Sequence, residues 1–306
     1  MAGEVRAFVD RDLDAVNRAL LGRSVELQQE FRGLPSADGH HLAEKLRGGL
    51  GVVAYEGDRL VGLLVGHVKG SVAKIALSGC LAPNRVLLDE LYSAAAQQWL
   101  DAGASTHEIY APATGCYDAG FRALGFGHSA TQLMIETERF AVSPLRSDLL
   151  VRPATPKDED ARLAIERDFM AHVNAPPSFS ALELDPEEEL REELRDSLER
   201  VDFEIFVAEL AGEVVGELLL FDRPKDGERI PLSSVDLAFL AVREHARGQG
   251  VGMALAHRAA ARAKERSCAF VTMDVRTTNR SASRFWERFG FTPVILRVER
   301  TLATAQ

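Results

Sequence analysis

Val235-Asp236-Leu237-Ala238-Phe239-Leu240-Ala241-Val242-Arg243-Glu244-His245-Ala246-Arg247-Gly248-Gln249-Gly250-Val251-Gly252 is the stretch that decides the fold. Its first eight residues read as a strand, and the run Met253 to Lys264 that follows reads as a helix. Three glycines at alternate positions let the chain turn tightly and approach a ligand closely. The amides that open the next helix then face that ligand, where the helix dipole favours an anion. Arg247 adds a planar guanidinium fork suited to phosphate. The segment is therefore read as a cradle for a pyrophosphate.

Two common phosphate loops are excluded. A P-loop needs Lys-Ser/Thr after its last glycine, which is missing here. A dinucleotide turn needs Gly-x-Gly-x-x-Gly, whereas the spacing is Gly248-x-Gly250-x-Gly252. Arg247-Gly248-Gln249-Gly250-Val251-Gly252 instead resembles the acetyl-coenzyme A loop, Arg/Gln-x-x-Gly-x-Gly/Ala, of the GNAT superfamily of N-acetyltransferases. A second segment strengthens the resemblance. Asn279-Arg280-Ser281-Ala282-Ser283-Arg284-Phe285-Trp286-Glu287-Arg288-Phe289-Gly290-Phe291 is similar to the family's Asn-x-x-Ala-x-x-Phe-Tyr-x-x-x-Gly-Phe. Ala282, Phe285, Trp286 and Phe289 recur at helical spacing, and Gly290 suits a helix end. Phe285 and Phe289 are read as core.

The chain has 306 residues, enough for two domains, and its hydrophobic content of 46% is sufficient for packed cores. No apolar run is long enough to span a bilayer, and the N-terminus has no secretory pattern. Cys80, Cys116 and Cys268 are scattered without metal spacing, which points to a reducing compartment. A cytoplasmic protein with no metal site and no membrane partner is expected. The net charge of -10 disfavours nucleic acid, whose phosphates would repel the protein.

The second half can be laid on the first. A shift of 165 puts Leu124-Gly125-Phe126 on Phe289-Gly290-Phe291, Phe121 on Trp286, and Ser71 to Leu77 on Asp236 to Val242 without a gap. The shift falls to 154 at Val61-Gly62 and 146 at Val5-Arg6. The second copy reads strand, two helices, three strands, helix, strand, helix, strand. The expected fold class is α/β (α+β): two GNAT-like domains in tandem, each a mixed, mostly antiparallel sheet flanked by helices. The join at Arg139 to Leu150 sets domains at 1–145 and 146–306. In the first copy Ala82, Pro83, Arg85 and Leu87 fall on Arg247, Gly248, Gly250 and Gly252, so the phosphate cradle is lost and that copy is read as degenerate.

The resemblance implies an N-acetyltransferase that moves an acetyl group from acetyl-CoA to a primary amine of a small molecule or peptide by direct attack in the C-terminal domain. It implies cofactor contacts from the backbone of Leu240, Ala241 and Val242, from Arg247, Gly248, Gln249, Gly250, Val251 and Gly252, and from Asn279 and Trp286. A bulge in the strand before the loop would splay it from its neighbour. Asp236, a carboxylate in an otherwise apolar strand, falls where some members carry a base-acting Glu. The competing reading pairs Asp236 with an Arg. Glu204 and Glu217 are further base candidates, and Ser283 is a candidate hydrogen-bond donor. Trp286 stands where many members have a Tyr acid, and indole only donates. All four tyrosines lie in the first half. That departure keeps a second reading in play, a non-catalytic acetyl-CoA binder acting as sensor or assembly module. From Asp185 to Glu204 ten residues are acidic and three basic, either an attractive rim for a cationic amine or a helix face laced with Glu–Arg pairs. His172 is placed near the cleft and His245 in the turn. The sequence leaves the oligomeric state open.

Overall fold

A computed structural model describes residues 4–35, 39–141, 148–180, 182–183, 185–225 and 227–302. Much of the expected join, at 142–147, lies outside the described residues. The first half forms β1 (Glu4–Ala7), α1 (Leu13–Glu30), α2 (Gly39–Glu44), β2 (Leu50–Glu56), β3 (Arg59–Lys69), β4 (Val72–Ile75), β5 (Cys80–Leu81), α3 (Arg85–Asp101), β6 (Thr106–Pro112), α4 (Tyr117–Ala123) and β7 (Gly127–Glu136). The second forms β8 (Leu149–Pro153), α5 (Glu159–Asn174), α6 (Glu187–Glu199), β9 (Phe203–Leu210), β10 (Glu213–Phe221), β11 (Ser234–Val242), α7 (Val251–Glu265), β12 (Phe270–Arg276), α8 (Arg280–Glu287) and β13 (Thr292–Thr301). The element order repeats, and β7 and β13 are related by the expected shift of 165 at both ends.

The compact units do not coincide with the sequence halves. One gathers Met1–Gln132, Lys225–Leu232 and Pro293–Gln306; the other gathers Leu133–Pro224 and Ser233–Thr292. In the first unit the strands run β1-β2-β3-β4-β6-β13, antiparallel except for the β4–β6 pair, with β5 pairing β3. The chain's last strand therefore serves the first unit. Its Leu296 and Val298 are buried with Ile109, Ala111 and Phe126. The Lys225–Leu232 segment, part of the extra length between β10 and β11, packs there too: Ile230 is buried and the Glu228 carboxylate accepts the Ser78 N–H at 2.6 Å.

In the second unit β8, β9, β10 and β11 are successively antiparallel, and β12 runs parallel to β11. The inner face of α7 is mostly alanine, with Ala254, Ala256, Ala259, Ala260 and Ala263 buried. Small residues let the helix lie close to the sheet. Gly216 makes this approach possible: a Cβ there would stand 2.9 Å from Val251 and 3.1 Å from Leu255. Gly62 does the same for α3, where a Cβ would meet Leu87 at 2.9 Å and Leu91 at 3.1 Å.

The gapless match of the central strands is corrected by the register. β11 runs unbroken for nine residues, whereas the first half divides the same course into β4 and β5 around a 3-10 turn at Leu77–Gly79. Phe221 pairs with Asp236 and His67 with Lys74, so Lys74 stands at the Asp236 position rather than Ser71. By helix cap, Asn84 matches Gly250, one residue before the Arg85 expected.

Candidate functional site

β11 and β12 pair only from Ser234–Phe270 to Asp236–Thr272. Beyond Asp236 the strands part, although each runs on for at least four residues. Ala238 is the cause on the β11 side: Leu219 faces Phe239 and Leu220 faces Leu237, so Ala238 is an extra, bulged residue. The β11 edge that faced β12 is left without ladder partners. A cavity of about 410 Å³ opens there, with Leu240, Ala241 and Val242 on one wall and Asn279, Ala282 and Trp286 from the α8 region on another.

The glycine turn closes one end. Gly248 and Gly250 adopt left-handed φ values of 76° and 89°, conformations that side chains resist. Gly250 caps α7, and among the described residues no side chain hydrogen-bonds its first-turn amides, which stay available to an anion. Gly252 brings the backbone to within side-chain contact of α8: a Cβ there would lie 3.4 Å from the Phe285 ring. Arg247, Gly248, Gly250 and Gly252 all line the cavity. Arg247 donates to the Val242 carbonyl at 3.2 Å, and no carboxylate pairs with it or with Arg288, a second lining arginine, among the described residues. Gln249 and Val251 fall outside the lining; Gln249 donates to the His245 carbonyl at 2.9 Å and Val251 is buried in the core. His245 lies 3.4 Å from Glu213 and is not a lining residue.

On α8 the Asn279 side chain accepts the Ala282 N–H at 3.1 Å as a helix cap, and the Ser281 hydroxyl at 2.8 Å. Ser281 in turn accepts from His172 Nε2 at 3.1 Å, so His172, Ser281 and Asn279 form a chain along the cavity wall. Ser283 is turned back, donating to the Asn279 carbonyl at 3.2 Å, and is not a lining residue. Trp286 lines the cavity while packing edge-on against Phe285 at 4.7 Å and Phe291 at 5.6 Å.

The carboxylates divide sharply. Asp236 is fully buried and does not line the cavity. Its oxygens accept the Thr272 hydroxyl at 2.7 Å and the Arg223 guanidinium at 2.6 Å. Burial raises its pKa, against the pull of Arg223 and Thr272. Glu217 is buried against Arg162 at 3.0 Å, with its pKa likewise raised by burial. Glu204 is ion-paired to Arg262 and Arg266. Most acids of α6 are solvated or paired with arginines, Glu187 with Arg167 and Arg191. Glu166 on α5 differs, having no hydrogen bond or ion pair among the described residues. Burial and the neighbouring Glu217 carboxylate push it up to about 7. Like Asp236 it is not itself a lining residue, but it shares an α5 face with Arg162 and Phe169, and Phe169 lines the cavity while packing edge-on to Phe239 at 4.9 Å. Glu217 sits opposite Ala241, a wall residue, in the β10–β11 ladder. Sequence reasoning passed over Glu166, Phe169 and Ser281. The spacing of Arg162, Glu166, Phe169 and Val173 along one helix face was the signal available.

The profile of the Acetyltransferase (GNAT) family matches residues 168–291. The second half carries a GNAT domain. A GCN5-related N-acetyltransferase from Sphaerobacter thermophilus aligns over 99% of this chain and 96% of its own, with a TM-score of 0.60 and 16% identity. A tandem GNAT protein from the clavulanic acid biosynthesis pathway aligns over 99% and 100%, with a TM-score of 0.52 and 14% identity. These likenesses give the chain a tandem GNAT fold. No curated protein matches it in sequence. The GNAT cavity fits a coenzyme of this class on its own geometry. Open amides and an Arg247 with no carboxylate partner among the described residues suit a pyrophosphate, and the partnerless edge of β11 suits an amide-bearing arm. Among the described residues no helix is long and apolar enough to cross a membrane, no group of side chains is arranged to hold a metal, and all three cysteines are free.

Proposed function

We propose that the second unit transfers an acetyl group from acetyl-CoA to a primary amine of a small molecule or peptide. The observation that carries this reading is the parting of β11 from β12 after Asp236, directly beside an uncapped helix N-terminus. Acetyl-CoA supplies the activated thioester. The N–H groups of Leu240 and Val242, on the β11 edge turned away from β10, hold the negative charge that develops on the acyl oxygen. An incoming amine must arrive neutral, and Glu166 takes its proton. A base works best with a pKa near the working pH and a free lone pair, and Glu166 has both. Asp236 has its oxygens engaged by Thr272 and Arg223, and acts by holding the strand at the point where the splay begins. Trp286 packs at the cleft wall and supplies no proton to the thiolate, so departure rests on the modest basicity of that thiolate.

The test is calorimetric titration of acetyl-CoA into the intact chain, followed by thiol release with a panel of amines. One site per chain and amine-dependent release support the enzyme. Affinity without release would favour the binder suggested by Trp286 and the sequestered Asp236. Absence of binding would sink both.

A further inference from the structure

The first unit contains a larger cavity, of about 800 Å³, between α1, the end of β5 and the start of α4. Its phosphate features are gone. Asn84 accepts the Leu87 N–H at 2.9 Å and closes the α3 N-terminus, and Pro83 in the lining has no N–H to offer. What the cavity has instead is Arg23, a lining residue on α1 that is only 7% exposed. Arg23 Nη1 donates to the Cys80 carbonyl, and among the described residues no carboxylate pairs with the guanidinium. Arg6, Arg152 and Arg162 by contrast all face carboxylates.

No neighbouring group supplies the missing charge. Burial pushes the Cys80 thiol up to about 12 and keeps the Tyr117 phenol protonated. The Glu228 carboxylate, near the back of Arg23, is taken by the Ser78 N–H at 2.6 Å and by Lys45 at 3.7 Å. Glu26, Glu30 and Asp58 are exposed at the rim. A buried cation without a counter-ion is costly, and a bound anion offsets that cost. Tyr117 adds a second donor: its oxygen accepts the Ala82 N–H at 3.0 Å, and its own hydrogen is left to give. Leu27, Leu60, Leu81 and Pro83 add apolar wall, while two further lining arginines, Arg18 and Arg59, are exposed.

We infer that this cavity binds a small organic carboxylate with an apolar body, its head held by the Arg23 guanidinium and the Tyr117 hydroxyl. Only Arg23 of the three lining arginines is buried, and one buried guanidinium with one phenol matches a singly charged, planar head group better than a diphosphate. The site is independent of acetyl-CoA in the second unit.

Hexanoate, the neutral isostere hexanamide and inorganic phosphate, titrated separately into the full chain, test it by calorimetry and thermal shift. Hexanoate should bind once per chain and raise Tm saturably, hexanamide should not, and phosphate should bind more weakly. Arg23→Met should weaken hexanoate at least ~10-fold, the size expected for a lost charged hydrogen bond. It should leave Tm without ligand unchanged or higher, since a buried unpaired cation has been removed. Acetyl-CoA affinity should stay the same. Tyr117→Phe, which keeps the volume, should weaken hexanoate less and serves if the Met variant fails to fold. Indifference to hexanoate, an equal response to hexanamide, or tighter binding of phosphate overturns the assignment. So does an Arg23→Met variant that melts several degrees lower yet binds hexanoate normally, because Arg23 would then be a structural residue.

Discussion

Two helices of this chain start at equivalent places and end up with opposite surfaces. α7 begins at a left-handed Gly250 with its first-turn amides uncovered. α3 begins at an extended Asn84 whose side chain folds over the Leu87 amide. Both helices are seated on the sheet by the same device, a glycine in the neighbouring strand whose missing Cβ admits two side chains of the helix. The packing is common to both copies, while the open first-turn amides occur in one. Only the few residues at the helix entrance separate a phosphate cradle from an ordinary capped helix. The first unit retains a cleft all the same, and there the buried cation comes from the helix side chain Arg23 rather than from backbone amides.

The comparison breaks most directly at Gly250. Gly250→Glu places bulk and negative charge where a pyrophosphate belongs and forces a side chain into φ 89°. Acetyl-CoA affinity should fall at least ~100-fold by calorimetry, the scale of several lost anion contacts. Arg85→Glu, at the start of α3 in the first unit, should leave it within about twofold, since a single exposed charge contributes little. Reversed effects would mean that the first unit is the coenzyme domain.

The carboxylates sharpen the comparison next. Glu166→Gln should lower kcat/KM about 100-fold, at the lower end for a general base, and abolish the rise of rate with pH near 7. Asp236→Asn should cost rate less but keep that rise; a lost rise in the Asn variant would return the base role to Asp236. Stability gives a second readout for Glu166. The fold raises its pKa from 4.5 to about 7, so it favours the neutral form. This group's contribution to stability is greatest below 4.5 and falls as pH rises through about 7. Glu166→Gln should flatten the urea midpoint across that window.

A smaller effect is expected at the first helix of each copy. Asp158 is held by Arg152 at 2.8 Å and the Thr155 N–H at 2.7 Å, and Asp12 by Arg6 and the Val9 N–H at 3.0 Å. The Arg152 pair lowers Asp158 to about 2, so its stabilisation is present above 3.8 and lost as pH falls through about 2. Asp158→Ala should cost ~1–2 kcal/mol at neutral pH, the range for a lost cap, with Asp12→Ala costing about the same. The smallest effect belongs to Asn84→Ala, at ~1 kcal/mol in denaturant melts with no change in coenzyme affinity. A gain in affinity would show that the cap alone had closed the first site.

Local chemistry made much of this legible in the sequence. Gly248, Gly250 and Gly252 announced the turn because few residues other than glycine tolerate its angles or its closeness to Phe285. The helical spacing of Ala282, Phe285 and Trp286 announced α8. The bulge expected before the loop is present at Ala238. What stayed hidden depended on residues far apart in the chain. Nothing near Asp236 reveals that Arg223 and Thr272 occupy its oxygens. Nothing near Glu166 reveals that Glu217 lies beside it, because the two meet only when α5 packs on β10.

By itself the sequence determined the repeated element order, the glycine turn before α7 and the absence of such a turn before α3. These follow from backbone angles, helix caps and periodicity, which act over a few residues. Tertiary structure decided that β13 joins β6, that Lys225–Leu232 packs in the first unit, and which carboxylates are paired and which is free. The reason is physical: strand pairing and the ionisation of buried groups depend on which surfaces come together, and a linear pattern does not record that choice.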